Sequence, residues 1–209
     1  MIVGFLAGDN RPGQSYITAT LDAGSQRPGG VGTPYGDVPV VHGSIGGVEA
    51  VCIHAFGVDD DVPSHHLNFP AQVLAMWRLG VDVVVTYNGF GGLKPEFPVG
   101  SVIVPSDIID DVHAKPYSIF PQGLGGWVRV DVGDDAGGPF CAAKRPAMVS
   151  AAAAVSRDVG RTFIDHARMV VVPGPRLETR SEIDDKHAQY ADIIGTNMVP
   201  RAWYLRELG

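Results

Sequence analysis

Cysteine, long apolar runs and clustered basic charge are all scarce in this sequence of 209 residues. Its two cysteines, Cys52 and Cys141, cannot form a disulfide framework, so we expect a reducing, cytoplasmic setting. No run approaches the ~20 apolar residues that a membrane helix needs, so we expect no membrane contact. The formal net charge of −7 and the lack of a basic stripe argue against a nucleic-acid partner.

The composition is otherwise that of a globular protein, with 45% hydrophobic and 19% charged residues. The 27 glycines and 16 prolines indicate many tight turns, which suit short connections between strands and helices. We expect residues 1–209 to form a single α/β domain with a central mixed β-sheet flanked by helices. No metal-ligand cluster, Ser-His-Asp triad or nucleotide fingerprint stands out, so we expect no metal and no cofactor.

Short apolar runs rich in β-branched residues alternate along the chain with patterns of helical period. The runs predict strands at Met1–Leu6, Val38–His42, Val48–His54, Val81–Thr86, Ser101–Pro105, Phe163–Val172 and Ala191–Gly195. The helical patterns predict helices from Asn68 or Pro70 to Gly80, and at Ala147–Val159, 181–190 and Val199–Leu208. We expect residues 10–37 to form a loop with at most one short strand, and residues 106–147 to be irregular.

The block around residue 174 places polar groups where a strand ends. Val170–Val172 is a buried strand by its composition, and Pro173–Pro175 stops it. Ligands of open α/β sheets bind at the carboxyl ends of strands, so we expect Arg176 and Glu178 to face a pocket.

A helix start follows this block. Thr179 or Ser181 is a candidate N-cap, with Glu182 or Asp184 in the first turn.

Four segments, in order and at similar spacing, carry a resemblance to a known family. They are Pro63–Phe69, Asn88–Glu96, Gly100–Asp110 and Gly174–Glu182. They resemble the Pro-Pro-His-x-hydrophobic-Asn-Tyr, Asn-Ala-x-Gly-Ser-Leu-x-x-Glu, Gly-Asp-hydrophobic-Pro-Asp-x-hydrophobic-Asp and Gly-Pro-Arg-Phe-Glu-Thr-x-x-Glu segments of purine nucleoside phosphorylases, most closely those of the methylthioadenosine phosphorylase branch.

The resemblance implies cleavage of the N-glycosidic bond of a purine nucleoside, in which phosphate attacks the anomeric carbon as the purine departs. It also implies a mixed sheet, flanking helices and a homotrimer. Positive charge develops on the ribose and negative charge on the base, so the site needs an anion pocket, a ribose clamp and a donor at the purine.

The resemblance also assigns roles to residues. It makes Glu178 the residue that holds the base, and puts Leu177 where the family has a phenylalanine. It places His65 near the ribose or a subunit contact. The positions expected to contact the nucleoside are Asn88, Gly89, Phe90, Arg176, Leu177, Thr196, Asn197 and His65.

Several positions depart from the family pattern in ways that put phosphate binding in doubt. Asp9 stands where the family has a phosphate-binding hydroxyl, Ala55-Phe56 where it has Arg-His, and Tyr87 where it has threonine. The family's Met-Thr-Asn-Val-Pro-Glu matches Thr196–Arg201. We find no counterpart, before Gly209, of the family's later strand with its purine-contacting aspartate, so we expect that contact to be missing.

These departures leave three hypotheses open. The first is an enzyme acting at the N-glycosidic bond, by phosphorolysis as in the family or by hydrolysis with Asp9 or Asp59 as the base that activates water. The second is a non-catalytic nucleoside-binding homologue. The third is a scaffold repurposed for other chemistry on a similar molecule. For the acids themselves, the alternatives are a turn cap for Asp9, a solvated acidic turn for Asp59 and a helix N-terminal carboxylate for Glu178.

Overall fold

The computed structural model describes residues 1–7, 10–11, 14–57, 59, 61–113, 116–120, 128–133, 137–184 and 190–209. These residues divide into two units, Met1–Gly89 and Phe90–Glu207. Each unit has its own sheet. The single domain expected from the sequence therefore stays a prediction.

The first unit is built on a five-stranded mixed sheet. Its strand order is β4-β5-β6-β1-β7, with β1 parallel to β6 and β7, and with β4, β5 and β6 antiparallel in turn. The strands are β1 (Ile2–Ala7), β4 (Arg27–Thr33), β5 (Gly36–Ile45), β6 (Val48–His54) and β7 (Val83–Tyr87). The smaller elements are β2 (Asn10–Arg11), β3 (Gln14–Ser15), α1 (Tyr16–Ala19) and a 3₁₀ turn at Ser64–His66.

The hairpin between β5 and β6 confirms the turn predicted there. Gly46 and Gly47 have φ angles of 56° and 78°, which glycine adopts without steric cost and which tight hairpin turns require. The Asp22 carboxylate accepts hydrogen bonds from both glycine N–H groups, at 3.0 and 3.1 Å, and from the Ser44 hydroxyl at 2.6 Å. These bonds hold the pKa of Asp22 below its usual value.

Helix α2 (Phe69–Arg78) packs on this sheet and confirms the helix predicted from Asn68. The Asn68 side chain accepts the Ala71 N–H at 3.2 Å as an N-cap, and Gly80 follows the helix with a φ of 68°. The apolar face of the helix buries Ala71, Ala75 and Met76 against Leu6, Val38, Val40, Val51 and Ile53.

The second unit has a four-stranded sheet of shorter strands in the order β10-β12-β13-β8. β10, β12 and β13 are parallel, and β8 is antiparallel to β13. The strands are β8 (Gly91–Gly92), β10 (Asp107–Asp110), β12 (Arg168–Val171) and β13 (Ile193–Gly195), with β9 (Val102–Ile103) and β11 (Phe163–Ile164) as a separate parallel pair. The helices are α3 (Arg145–Asp158), α4 (Arg180–Glu182) and α5 (Arg201–Leu208).

Three predicted elements are wrong. The expected loop 10–37 contains β4, because Arg27–Thr33 pairs residue by residue with β5 despite its glycines. The expected irregular segment 106–147 contains β10 and the start of α3. The expected strand Phe163–Val172 is two strands, because the Ala167 carbonyl turns to accept the N–H groups of Ser106 and Asp107.

Other predictions hold with shifted ends, since β7, β13, α3 and α5 lie within two or three residues of the expected bounds. Of the helix expected at 181–190, α4 covers the start, and residues 185–189 lie outside the described part. The two mixed sheets with flanking helices confirm the predicted α/β class. None of the helices in the described residues is long and apolar enough to cross a bilayer.

Candidate functional site

In the first unit, three parallel strands end at one edge of the sheet. Ala7 at the end of β1 pairs with His54 of β6 and with Tyr87 of β7. The segments after these strands carry the two candidate water-activating acids. Asp59 lies in the turn after β6 and is exposed, whereas Asp9, after β1, lies outside the described residues. The catalytic roles of both stay predictions.

The other predicted residues of the first unit lie after β7 and in the 3₁₀ turn. Asn88 is half-buried and Gly89 is exposed, directly after the end of β7. His65 is exposed, and its ring lies against that of His66 with centroids 4.1 Å apart.

The segment after β6 is short of positive charge. Ala55 is buried and Phe56 is half-buried, so neither supplies the cation that the family pattern has at these positions. Burial lowers the pKa of His54 below its ordinary 6.5, so this imidazole is neutral at pH 7. An anion at this edge would find little electrostatic support from these three side chains.

In the second unit, the strand ends are again in step. The Asp111 N–H donates to the Val171 carbonyl at 3.0 Å, and the Val172 N–H donates to the Gly195 carbonyl at 2.9 Å. Phe90 precedes β8 and lies beside Gly195, where a Cβ would lie 2.3 Å from the Phe90 ring. Only glycine at position 195 therefore lets the ring occupy this place.

Asn197 follows β13 and has a strained, buried conformation. Its φ is 72°, in the left-handed region where a side chain other than Asn or Gly is rare, and it is 7% exposed. Its Oδ1 is buried and accepts no hydrogen bond from the described residues. Thr196 beside it is half-buried. The structure thus holds an uncommitted acceptor at the carboxyl end of a central strand.

The loop after β12 is closed by one carboxylate. Glu182 accepts two hydrogen bonds from Arg176, at 2.7 and 2.8 Å, and one from the Thr179 N–H at 2.7 Å. The Glu182 N–H donates back to the Thr179 hydroxyl at 3.3 Å, which completes a capping box and confirms Thr179 as the N-cap. The hydrogen bonds and charge of Arg176 hold the pKa of Glu182 far below its usual range.

The other predicted residues of this loop are free of such bonds. Glu178 is half-buried, and in the described part of the chain its carboxylate takes part in no hydrogen bond. Leu177 is 87% exposed. Sequence reasoning named Arg176 as a ligand contact and missed its pairing with Glu182, although both residues stand within one motif.

Arg201 at the start of α5 is a feature that the sequence did not reveal. It is fully buried, and burial lowers the pKa of its guanidinium to about 10. The signal for it was the charge reversal against the glutamate of the resembled segment, which marks the position but not its burial.

A cavity of about 330 Å³ lies at the opposite edge of the second sheet, where β12 and β13 begin. None of the predicted site residues lines it. Its lining residues are Lys94, Glu96, Phe97, Ile164, His166 and Asp192, and it holds the Lys94–Asp192 ion pair at 2.5 Å. No group of three or more potential metal ligands occurs among the described residues.

Comparison with known proteins identifies the family. The model of the "Phosphorylase superfamily" matches residues 21–209. The chain belongs to the phosphorylase superfamily. The resemblance found in the four sequence segments is thereby confirmed.

Relatives within this superfamily include nucleoside phosphorylases of two names. A 6-oxopurine nucleoside phosphorylase of Pyrococcus furiosus is 29% identical over 187 residues, covering 89% of this chain and 69% of the relative. An S-methyl-5'-thioadenosine phosphorylase of Pyrococcus horikoshii is 32% identical over 183 residues, covering 86% and 66%. The chain thus spans about two thirds of the length of these curated relatives.

Solved structures agree on the fold. A variant of the adenosine/methylthioadenosine phosphorylase from Schistosoma mansoni superposes with a TM-score of 0.83 at 21% identity, covering 99% of this chain and 76% of that one. A methylthioadenosine phosphorylase from an antarctic soil metagenomic library gives 0.82 at 23% identity, covering 97% and 67%. At these identities the likeness supports the phosphorylase fold alone.

Proposed function

We propose that this phosphorylase-superfamily chain cleaves the N-glycosidic bond of purine nucleosides, including 5′-modified ones such as methylthioadenosine. The names of its relatives support this substrate class. The structural observation that carries the proposal is Asn197, whose left-handed backbone holds a buried acceptor at the carboxyl end of β13. Ligands of α/β sheets bind at such strand ends.

The uncommitted Asn197 oxygen favours a ligand with hydrogen-bond donors. A buried acceptor without a donor costs about 1–3 kcal/mol, so a bound donor would recover that energy. Ribose hydroxyls and water can donate, whereas a fully ionised phosphate can only accept. Asn197 is therefore suited to a sugar hydroxyl or a water molecule.

The residues around it supply what a purine needs. The Glu178 carboxylate, free of hydrogen bonds in the described part of the chain, can accept N–H groups of the base. The Phe90 ring beside Gly195 offers an aromatic surface for stacking. We propose that Asn88, Gly89, Leu177, Thr196 and His65 complete the nucleoside contacts.

The attacking oxygen comes from phosphate or from water. In either case it bonds to the anomeric carbon, the carbon–nitrogen bond breaks, and its electron pair leaves with the purine. Hydrolysis also requires a base for the proton of water, and Asp9 or Asp59 is the candidate. The lack of a cation at Ala55 and Phe56 favours water, whereas the relatives' names favour phosphate.

Chromatographic detection of free purine tests the proposal. The protein is incubated with adenosine, inosine and methylthioadenosine, each with and without phosphate. Release only with phosphate would establish phosphorolysis, and release without it would establish hydrolysis. Glu178→Gln should slow release from any substrate, with Glu49→Gln, an exposed change on β6, as the control.

The base in hydrolysis is tested separately. Asp9→Asn or Asp59→Asn should abolish release without phosphate, whereas Asp37→Asn, an exposed aspartate of β5, should not. Unchanged turnover in both variants would rule out these acids as the base.

The non-catalytic alternative rests on the same lack of cations after β6. A binder would be stabilised against heat by a nucleoside, through preferential binding to the folded state, yet would release no purine. That result would contradict the proposed reaction while keeping the substrate class.

We also propose a homotrimer in the cytoplasm, as the family resemblance implies. Light scattering on the purified chain should then give about three times its mass of 22.1 kDa. A monomeric mass at micromolar concentration would contradict the trimer.

A further inference from the structure

We propose that Arg176 is a positioning residue, which through Glu182 fixes the loop that presents Glu178 to the nucleoside and does not itself touch substrate or phosphate. This inference rests on the proposed function, because it assigns a role in nucleoside binding. It replaces the ligand contact expected for Arg176 from the sequence.

The first support is that Arg176 is already engaged at both ends of its guanidinium. One terminal nitrogen donates to Glu182 Oε2 at 2.8 Å and to the Leu177 carbonyl at 3.1 Å, and the other donates to Glu182 Oε1 at 2.7 Å. Such a two-pronged pair fixes geometry as well as charge. Binding a phosphate through these nitrogens would require breaking it.

The second support is that Glu182 joins three points of the loop. Its carboxylate also accepts the Thr179 N–H at 2.7 Å, and its own N–H donates to the Thr179 hydroxyl. The chain from Arg176 to Glu182 is thereby closed into a short ring of side-chain and backbone bonds. Leu177 and Glu178 lie inside this closed segment, so the ring limits where their side chains can point.

The third support is the contrast between the two glutamates of the segment. Both oxygens of Glu182 are occupied, whereas the Glu178 carboxylate makes no hydrogen bond among the described residues. One acid is committed to shape and the other is available to a ligand. Their charges are equal, so the division of roles follows from geometry.

The pair also persists across the pH range of an enzyme assay. The hydrogen bonds and charge of Glu182 raise the pKa of Arg176, and those of Arg176 lower the pKa of Glu182. A lowered carboxyl pKa keeps the charge above that pKa and loses it only in strong acid. The ring is therefore a fixed support and not a pH switch.

A charge-swap series tests the proposal. The variants are Arg176→Glu, Glu182→Arg and the double exchange, with Arg176→Lys as the conservative change. Each single exchange should raise the nucleoside KM about tenfold with little change in kcat, since small misplacements of a binding group have effects of this size. The double exchange should restore KM to within about threefold, because the pair re-forms with opposite polarity.

The matched control is the neighbouring ion pair of Arg180 and Asp184, which is four residues apart and exposed. Arg180→Glu should leave KM unchanged. If Arg176 binds phosphate directly, Arg176→Glu would instead raise the KM for phosphate and the double exchange would not rescue it. That outcome overturns the proposal.

Hydrogen exchange of residues 174–184, measured without ligand, separates this proposal from the proposed function. Exchange should rise in each single variant and return to the original rate in the double variant. If the unaltered protein neither binds nor cleaves a nucleoside, the proposed function fails, yet the exchange result still supports or overturns the closed ring. Unaltered exchange in Arg176→Glu would overturn it.

Discussion

The two sheets of this chain have similar parallel edges but opposite economies of structure. In the first unit the strands run for 5 to 10 residues, whereas those of the second sheet have 2 to 4. The segments after the first sheet carry exposed side chains such as Asp59 and His65. Those after the second carry a left-handed Asn197 and the closed Arg176–Glu182 ring.

The difference shows how a short sheet can still hold ligand-binding groups in place. Long strands stabilise themselves by many ladder bonds and by a continuous core. Short strands leave more backbone to be fixed by side chains, and strained positions persist only where the surroundings determine them. We infer that the second unit carries the more sharply positioned contacts of the proposed site.

The largest expected effect comes from truncating each core. Met76 of α2 and Met169 of β12 are both almost fully buried, so Met76→Ala and Met169→Ala should each cost about 2–5 kcal/mol. A single domain, as the sequence predicts, unfolds in one transition, and either change then raises hydrogen exchange throughout residues 1–209. Faster exchange confined to the altered unit would contradict the single-domain prediction.

The next effect comes from crowding a glycine in each sheet. A Cβ at Gly92 would lie 2.4 Å from the Phe97 backbone carbonyl, whereas one at Gly4 would lie 2.7 Å from the end of the Met76 side chain. Side-chain ends can move and backbone cannot, so Gly92→Ala should cost about 1–3 kcal/mol and Gly4→Ala less. Chemical denaturation measures both.

Gly91→Ala is the control for this comparison. A Cβ at Gly91 would approach only the Ile194 side chain, at 3.1 Å, so the change should be tolerated better than Gly92→Ala. Equal losses in the two variants would mean that β8 is sensitive to any added side chain.

A smaller effect separates the two buried or capping asparagines. Asn197→Gly removes an uncommitted buried acceptor and suits a φ of 72°, so it should raise stability by about 1 kcal/mol. It should also raise the nucleoside KM about tenfold, since a donor from the ligand loses its acceptor. Asn68→Ala, which removes the cap of α2, should lower stability by about 0.5–2 kcal/mol.

Thermal denaturation and nucleoside KM check this pair together. Asn197→Ala is the control, because it removes the amide but keeps a side chain at a left-handed position. A loss of stability in Asn197→Gly, or an unchanged KM, would contradict a ligand-binding role for Asn197.

The smallest effect is a difference in acid sensitivity. Burial lowers the pKa of His54 below 6.5, so as pH falls the unfolded chain binds the proton first. The stability held through His54 is complete above pH 6.5 and is lost below it. His54→Gln should flatten the decline between pH 6.5 and about 5, measured by denaturation at each pH.

The counterpart in the second unit responds only in stronger acid. Burial alone would raise the pKa of Asp192, but hydrogen bonds from Lys94 and the Arg168 N–H, with the positive charges of both, lower it below 3.8. Its contribution is present above pH 3.8 and is lost as pH falls further. Asp192→Asn should therefore lower stability at pH 7 and remove only the decline below pH 3.8.

Features that depend on neighbours in sequence were predictable. The hairpin at Gly46-Gly47, the Asn68 cap and the Thr179 capping box all join residues within four positions, so the local pattern contains their cause. The α/β class followed in the same way, from alternating strand and helix patterns. Motif resemblance added the family, which the comparison confirmed.

Features that depend on distant partners were not predictable. Arg27–Thr33 becomes a strand only because β5 lies beside it, and the break before Arg168 exists because Ser106 and Asp107 donate to Ala167. The place of the Phe90 ring depends on the absence of a side chain at Gly195, more than a hundred residues away in the chain.

The sequence by itself determined the α/β class, the family resemblance and which residues are candidates for a nucleoside site. Tertiary structure alone decided which of them are committed to shape and which are available. Glu178 and Glu182 are identical in chemistry, and only the placement of Arg176 and the Thr179 N–H occupies one of them. Hydrogen-bond geometry acts within about 3 Å, and a one-dimensional pattern does not specify distances on that scale.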